Sequence, residues 1–363
     1  MMNRKKKIVI IGGGLAGLAL AMKFCERNGE VTVVSYQSLK RSHSVCAQGG
    51  INAAIDAKNE GDSPEKHFYD TIKGGDFLAH QPLVRDMCYQ APAIIHLMDR
   101  MGVAFNRTGE GHLDFRRFGG TLYNRTAFAG ATTGQQLVYA LDEQVRRNIH
   151  DGNATALEWH EYLGAVLDSD GICRGAVIHD LKTDEIYTLP ADAVVLATGG
   201  PGQVYGRSTN SVVNTGAAAT TAYLQGAKYA NGEFIQIHPT AIPGQDKLRL
   251  MSESARGEGG RVWVPRKVDD KRDPKKIPEN ERFYFLEEKY PLFKNLVPRD
   301  VASREIYDIV YNQNMGVDGD PMVYLDLTHK SREFLDNRLG GIMDIYTKFT
   351  GVDPRDHPMK IFP

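Results

Sequence analysis

Three glycines near the start of the chain have the spacing of a phosphate-binding turn. Gly12, Gly14 and Gly17 form the pattern G-x-G-x-x-G between an apolar stretch that predicts a strand and one that predicts a helix. In such a turn the first glycine permits a tight bend, the second lets the backbone approach a pyrophosphate, and the third lets helix and strand pack closely. The helix N-terminus attracts phosphate charge. The pattern predicts a dinucleotide site, with a purely structural turn as the alternative.

The residue that usually distinguishes one dinucleotide from another departs from the common pattern. At the end of the second strand an acidic residue normally binds a ribose hydroxyl, and here Ser35 stands at that position. A serine hydroxyl can still bond a ribose or phosphate oxygen. The glycine pattern alone therefore leaves both NAD and FAD open.

The elements around this turn predict a nucleotide-binding sheet. Residues 7–11 and 31–35 predict strands on either side of a helix over 15–28, and residues 191–198 predict another strand that ends in glycines. A hairpin layer is predicted over 158–189. Further helices are predicted over 64–73, 82–101, 134–148, 300–313 and 331–349.

The composition argues against several classes of protein. The 44 basic and 45 acidic residues nearly cancel, which leaves no electrostatic footprint for nucleic acid. The four cysteines are scattered without a CxxC pair, so neither a zinc ribbon nor an iron–sulfur cluster is expected in this chain. Because 363 residues exceed one ordinary domain, two domains are expected.

The basic start and the apolar run after it have two interpretations. They resemble a signal peptide, but the glycine spacing explains the same residues better. The run holds 15 uncharged residues between Lys7 and Lys23, too few to span a bilayer. We therefore expect a chain without a membrane span.

A histidine between two serines leads to the family that the sequence resembles. The stretch RSHSVCAQGGI, Arg41 to Ile51, resembles the flavoprotein subunit of succinate dehydrogenase and fumarate reductase, the respiratory complex II family. In that family the histidine of this motif carries FAD through a covalent bond to the flavin methyl group, so the resemblance implies that His43 is the attachment site. Without the motif, a hydrogen-bonded core or surface histidine would be the simpler interpretation.

The resemblance covers essentially the whole chain. The other stretches that carry it are HFYDTIKGGDF (67–77), FGGTLYNRTAFAGATTG (118–134), EW (158–159), ATGGPGQVY (197–205), TNSVVNTG (209–216), HPTAIPG (238–244), SESARGEGG (252–260) and PRDVASREI (298–306). One departure is Ala217, where many relatives have an aspartate that touches the cofactor.

The resemblance implies an α/β fold with two domains. A Rossmann-like FAD-binding domain is expected over 1–234, with an inserted α+β capping domain over 235–350 that closes over the substrate. Residues 351–363 would begin the return to the FAD-binding domain. Relatives continue beyond this point with a second substrate histidine, a substrate arginine and a helical C-terminal domain. We therefore expect a fragment that lacks this helical domain and has little or no succinate oxidation of its own.

The resemblance also implies a site for proton transfer to a dicarboxylate. It assigns Arg299 as the group that exchanges a proton with the substrate carbon, with Glu253 and Arg256 as its relay. The three-residue spacing of the relay would equally suit a surface ion pair. Arg299 is expected to open a helix, where its charge opposes the macrodipole and Asp300 would be the natural cap.

The remaining site residues are assigned in the same way. His238 and Ser252 would hold substrate carboxylates, and Phe118 would pack against the bound dicarboxylate. Gln48 stands where succinate-oxidising members usually have glutamine, which favours that direction. The residues expected to bind FAD are Gly12, Gly13, Gly14, Leu15, Ala16, Gly17, Ser35, Ser42, His43, Ser44, Gln48, Gly49, Gly50, Thr198 and Gly199.

The activity implied is oxidation of succinate to fumarate, with a hydride passing to covalently bound FAD. No cysteine cluster here can carry single electrons, so a partner must carry them. The resemblance implies that the partners are an iron–sulfur subunit and a membrane anchor that passes electrons to or from quinone. The chain would lie peripherally at the cytoplasmic face of the bacterial inner membrane. The alternatives are fumarate reductase, an L-aspartate oxidase, which holds FAD without a covalent link, and a non-catalytic FAD-binding remnant.

Overall fold

Helices and strands alternate along most of the chain. The structure, a computed structural model, describes residues 4–242, 244 and 248–363, so Pro243 of the HPTAIPG stretch lies outside the described residues. The α-helices are α1 Leu15–Cys25, α2 Pro64–Gly74, α3 Gln81–Arg100, α4 Thr133–His150, α5 Ala217–Leu224, α6 Ser254–Gly257, α7 Phe285–Lys289, α8 Arg299–Tyr307 and α9 Arg332–Thr350. The strands are β1 Lys7–Ile11, β2 Glu30–Ser35, β3 Ile51–Asn52, β4 Phe115–Arg116, β5 Thr126–Ala127, β6 Ala154–Glu158, β7 His160–Leu167, β8 Cys173–Asp180, β9 Ile186–Pro190, β10 Ala193–Leu196, β11 Ala241–Ile242, β12 Arg249–Leu250, β13 Arg261–Pro265, β14 Arg282–Phe283, β15 Val323–Asp326 and β16 Met359–Ile361.

The glycine turn follows β1, an interior strand of a parallel sheet with the strand order β10-β1-β2-β6. Ile10 and Val33 are fully buried in it, as expected for parallel strands packed on both faces. The predicted strand–helix–strand opening is confirmed, although α1 ends at Cys25 rather than at Asn28. Asn28 has a φ of 59°, a left-handed conformation that ends a right-handed helix.

The predicted hairpin layer is a three-stranded antiparallel sheet in the order β7-β8-β9. Ala176 and Ile178 on its central strand are fully buried. They pack in one apolar cluster with Val9 and Ile11 of β1. The layer thus covers one side of the parallel sheet.

A second hydrophobic core forms around the antiparallel sheet β14-β13-β15-β16. Trp263 and Leu325 are fully buried there, together with Ile306 of α8 and Leu335 of α9. Two smaller sheets, β3-β5-β4 and β11-β12, consist of two-residue strands.

The start of α8 confirms one expectation and corrects another. Arg299 is the first residue of this helix, as expected. Asp300 is not its cap: Pro298 is the N-cap, and Asp300 lies in the first turn, where its carboxylate pairs with Arg304 at 2.8 Å. The helix also ends earlier than residue 313, because residues 308–312 form a π-helical turn.

Chain contacts divide the molecule into two compact units. The first comprises the residues up to Ala47, 101–103 and 134–234, and the second comprises 48–100, 104–133 and 235–363. Residues 48–100 and 104–133 thus pack with the second unit, whereas the expected FAD-binding domain is continuous over 1–234. The assignment of cofactor and capping domains to residue ranges remains a prediction. Within the described residues, we find no helix both long and apolar enough to cross a membrane.

Candidate active site

Glu253 lies buried between two arginines in the second compact unit. Its Oε2 accepts a hydrogen bond from Arg299 Nε at 2.7 Å, and its Oε1 accepts one from Arg256 Nη2. Burial raises the pKa of a carboxyl group, but the charges of Arg256 and Arg299 outweigh that effect and hold the pKa of Glu253 at about 2. The carboxylate is therefore ionised at neutral pH, and it can carry a proton only transiently.

Arg256 is fixed on a second side by backbone carbonyls. Its Nη1 donates to Asn295 O at 2.9 Å and to Val297 O at 3.3 Å. The three-residue spacing correctly predicted a contact between Arg256 and Glu253. The alternative interpretation, an ion pair at the surface, is wrong, because both side chains are at most 2% exposed. An ion pair removed from water in this way depends on further hydrogen bonds, and both terminal nitrogens of Arg256 have them, whereas its buried Nε has no partner among the described residues.

His238 brings an imidazole to the same carboxylate. Its Nδ1 accepts from the Thr240 N–H at 3.2 Å, which leaves the proton of a neutral ring on Nε2. Nε2 is buried, lies 3.5 Å from Glu253 Oε2 and has no hydrogen-bond partner among the described residues. Burial lowers the pKa of His238 to about 4, although Glu253 acts in the opposite direction. The ring is neutral at pH 7, and Nε2 can donate to a bound anion.

Ser252 is held near His238 by hydrogen bonds between Thr240 and Met251. Thr240 Oγ1 donates to Met251 O at 2.8 Å, and the Met251 N–H donates to Thr240 O at 2.9 Å. Ser252 itself is buried, with its Oγ donating to Ser254 Oγ at 2.9 Å. The two residues predicted to bind carboxylates therefore lie on adjoining segments.

Gln236 is a member of this cluster that the sequence reasoning missed. Its Oε1 accepts from Arg299 Nη1 at 2.7 Å, so the guanidinium of Arg299 is held by two acceptors. The available signal was the two-residue spacing to His238, since side chains two apart share a face in extended backbone.

Phe118 packs on the turn that contains Gly49. A Cβ added to Gly49 would lie 2.5 Å from the ring atom Cζ of Phe118. Arg116, two residues earlier, donates from Nη2 to Gly49 O and is 1% exposed. Its guanidinium lies 4.0 Å from the ring centre of Phe128, and burial lowers the pKa of Arg116 to about 10. The sequence reasoning missed Arg116, which shares a face of the extended backbone with Phe118.

The glycine turn of the first compact unit has the conformation that its spacing predicted. Gly12 has a φ of 116°, and a Cβ there would overlap the Ala197 carbonyl oxygen. A Cβ on Gly17 would overlap Gly12 O. Gly14 is the N-cap of α1 and has no side chain to cap it, so the first-turn N–H groups that follow Leu15 are left for an anion.

The segment over residues 38–47, called the His43 segment below, lies against this turn. Ser44 Oγ accepts from the Leu15 N–H at 3.2 Å, and His43 Nδ1 accepts from the Ser211 N–H at 3.2 Å. The ring proton of a neutral His43 therefore lies on Nε2. Ser42 Oγ is buried and has no hydrogen-bond partner among the described residues. A buried hydroxyl without a partner beside a glycine turn fits a bound phosphate or ribose oxygen.

Other predicted cofactor residues surround the same turn. Ser35 is buried at the end of β2, and a Cβ on Gly13 would lie 3.1 Å from its Oγ. Thr198 and Gly199 follow β10, with Gly199 at a φ of 74°. The residues present thus fit the phosphate and ribose end of FAD. Ala16 lies in the first turn of α1, whereas Gln48, Gly49 and Gly50 belong to the second compact unit, where their role toward the cofactor stays a prediction.

Comparison with known proteins identifies the family of the chain. The family described as FAD binding domain matches residues 7–363. The chain is 61% identical over 359 residues to the succinate dehydrogenase flavoprotein subunit of Bacillus subtilis, covering 99% of this chain and 59% of that relative. It is 34% identical over 376 residues to the fumarate reductase flavoprotein subunit of Helicobacter pylori, covering 96% of this chain and 49% of the relative.

A solved structure shares the fold over nearly the full length. The quinol fumarate reductase of E. coli superposes with a TM-score of 0.83 at 30% identity, over 99% of this chain and 60% of that chain. The chain therefore spans between about half and three fifths of the length of the proteins it resembles.

Proposed function

The chain belongs to the FAD-binding-domain family, and from this premise we propose that it is the flavoprotein part of a succinate dehydrogenase. The observation that carries the proposal is the buried carboxylate of Glu253, bonded on one oxygen by Arg256 and on the other by Arg299. A carboxylate between two arginines can pass a proton from one to the other. It stays ionised in the buried site because both cations remain beside it. The names of the Bacillus subtilis and E. coli proteins support the same reaction class.

The second compact unit supplies the groups that would bind a dicarboxylate. His238 Nε2 is a buried donor without a partner among the described residues, so a substrate carboxylate would satisfy it. Ser252 lies on the adjoining segment, and Phe118 would exclude water from the carbon chain. The two cations of Arg299 and Arg256 outnumber the one carboxylate of Glu253, and the net positive charge favours an anion over a neutral molecule.

Arg299 is the group that would exchange a proton with the substrate. As it takes a proton from the carbon, its Nε passes one to Glu253 Oε2, 2.7 Å away. Glu253 has a pKa of about 2, so it hands the proton onward instead of keeping it. Arg256, which is bonded to Glu253 Oε1, would be the next group of the relay. When bound, FAD supplies the acceptor for the hydride that leaves the neighbouring carbon.

FAD would be held at the glycine turn and attached to His43. The N-terminus of α1 and the hydroxyls of Ser42 and Ser44 would bind its phosphates and ribose. Attachment to His43 would prevent loss of the flavin and make it a stronger oxidant, as removal of hydrogen from a saturated carbon chain requires. An iron–sulfur subunit and a membrane anchor would take the electrons to quinone at the cytoplasmic face of the membrane.

The test uses the protein isolated from its own cells with its partners bound. We expect succinate-dependent reduction of an artificial acceptor, and flavin that stays with the chain after acid precipitation. The Arg299→Gln variant should retain that flavin and lose succinate oxidation by about 10²-fold or more, the usual contribution of a positioned proton donor. The same preparation is assayed for fumarate reduction with a reduced dye, which decides the favoured direction.

Two outcomes would contradict the proposal. Flavin that washes entirely free, combined with oxidation of L-aspartate, would identify an aspartate oxidase instead. Tightly bound flavin with no turnover of succinate, fumarate or aspartate would leave only a flavin-binding module.

A further inference from the structure

The His43 segment is anchored at its start by an acid on a neighbouring strand. Glu158, the last residue of β6, accepts with Oε1 from the Leu39 N–H at 3.0 Å and from Ser38 Oγ at 3.1 Å. In the parallel pairing of β2 and β6, Glu158 lies opposite Ser35, the position where an acid normally binds ribose. The acid at this edge of the sheet therefore holds the chain that follows β2.

A second anchor holds the middle of the segment. Lys40 Nζ lies 3.3 Å from Asp142 Oδ2, and the Asp142 side chain is fully buried in α4. Arg146 Nε binds the same oxygen at 2.6 Å from one helical turn away. A carboxylate this deeply buried is costly without cationic partners, so the charge of Asp142 favours the position of Lys40 beside it as well as that of Arg146.

The end of the segment is fixed as well. The Gly134 N–H donates to Ala47 O at 2.8 Å, and a Cβ on Gly134 would overlap Ser44 O. His43 thus lies between anchors on β6 and α4, with its Nδ1 bonded to the Ser211 N–H. Three parts of the chain that are distant in sequence, β6, α4 and the segment with Ser211, therefore fix the position of the His43 imidazole.

We propose that Glu158 and the Lys40–Asp142 pair are positioning residues that present His43 for covalent attachment of FAD. The inference rests on the proposed function, in which His43 carries the flavin. Attachment replaces one flavin methyl C–H bond and the imidazole N–H bond by a C–N bond. Both hydrogens, with two electrons, end on the flavin in its reduced form, which the quinone of the proposed reaction reoxidises.

The geometry matters because the bond forms between two groups held by the same protein. Such reactions gain most of their rate from correct placement, and a misplacement of about 1 Å can cost on the order of 10²-fold. Neither anchor needs to touch FAD to have this effect. Loss of an anchor should therefore slow attachment while the glycine turn still binds the dinucleotide.

The variants are Glu158→Ala, Glu158→Gln, Lys40→Ala and Arg146→Ala, in the protein isolated with its partners. Three quantities are measured: total FAD, the fraction that stays with the acid-precipitated chain, and hydrogen exchange of peptides covering 38–47. We expect Glu158→Ala and Lys40→Ala to lower the covalent fraction at least threefold at unchanged total FAD, with faster exchange. Glu158→Gln should recover most of it, because the amide oxygen still accepts from Leu39.

Arg146→Ala is the matched control, since it removes a partner of Asp142 without touching the His43 segment. It should match the wild type in all three quantities. A wild-type covalent fraction in both Glu158→Ala and Lys40→Ala would overturn the inference, and so would a parallel loss of total and covalent FAD, which indicates a merely structural role. If the wild type itself holds no covalent flavin, the proposed function fails, and the exchange rates still decide whether the anchors position His43.

Discussion

Gly119 lies so close to Glu253 that a side chain at this position would displace the buried carboxylate. An added Cβ would lie 2.7 Å from Glu253 Oε1 and 3.1 Å from Arg256 Nη2. Gly119→Ala should therefore lower the free energy of unfolding by about 1 to 3 kcal/mol, the usual cost of overpacking, and should lower succinate turnover with it. Denaturant titration and the acceptor assay measure the two effects.

A glycine in open space is the control for that substitution. Gly109 has no atom within 4 Å of an added Cβ and no left-handed φ. Gly109→Ala should change neither quantity beyond error. Equal effects of the two variants would show that the space around Glu253 is not as tight as the distances indicate.

Neutralising Glu253 tests the two arginines that bind it. Glu253→Gln leaves the buried cation of Arg256 without its charged partner, and breaking a buried pair in this way costs about 3 to 5 kcal/mol. Asp300→Asn, which breaks the exposed pair with Arg304, should cost less than about 1 kcal/mol. Unfolding free energies at pH 7 compare the two.

The stability difference between the wild type and Glu253→Gln should depend on pH. The pKa of Glu253 is depressed from 4.5 to about 2, so its stabilisation is complete above pH 4.5 and is lost as the pH falls toward 2. The difference between wild type and Glu253→Gln should narrow over that range. A constant difference would mean that lost packing, and not lost charge, explains the cost.

Local patterns accounted for the parts of this site that are close in sequence. The glycine spacing predicted the turn before α1, and the three-residue spacing predicted the contact of Glu253 with Arg256. The same spacing could not predict burial, because burial depends on Gly119 and on carbonyls of Asn295 and Val297 that come from elsewhere in the chain.

Contacts between distant segments carried no such signal. Gln236 and Arg299 are 63 residues apart, and nothing periodic links them. The two-residue strands β3, β4 and β5 are too short to show alternation, so the sheet that holds Ile51 and Phe115 was not predicted. Glu158 belongs to a family motif, but no local pattern links it to Leu39, because Leu39 follows β2 and lies 119 residues away in the chain.

Two glycines of the turn should respond differently to substitution. Gly14 has a φ of −83°, which any residue adopts, and its nearest neighbour is the movable Ser44 hydroxyl, at 3.1 Å from an added Cβ. Gly14→Ala should therefore leave the stability of the FAD-free protein within about 0.5 kcal/mol, yet weaken FAD binding at least tenfold by blocking the phosphate. Gly17→Ala overlaps Gly12 O and should lower both.

Calorimetric titration of the FAD-free chain with FAD, beside its melting curve, separates these effects. If Gly14→Ala binds FAD like the wild type, the phosphate does not approach the backbone there. Unchanged melting of Gly17→Ala would contradict the close packing of α1 on β1.

His67 should make the protein sensitive to mild acid. It is buried on α2 with Nδ1 lacking a hydrogen-bond partner among the described residues, and burial, aided by the charge of Arg125, lowers the pKa of His67 from 6.5 to about 4. Between pH 6.5 and about 4, His67 binds a proton in the unfolded chain but not in the folded protein, so the free energy of unfolding falls as the pH drops. His67→Leu should remove up to about 1.4 kcal/mol per pH unit from that slope.

The control for this slope is a neighbour that does not titrate. Ile72, also buried on α2, can be shortened by Ile72→Val, which should lower the free energy of unfolding by about 0.5 to 1.5 kcal/mol equally at every pH. Denaturant titrations from pH 7 to pH 4 compare the three proteins. Because His238 titrates in the same direction and remains in both variants, part of the slope persists in His67→Leu. A slope identical to that of the wild type would show that His67 takes up its proton inside the fold, through a partner that the burial of its ring does not suggest.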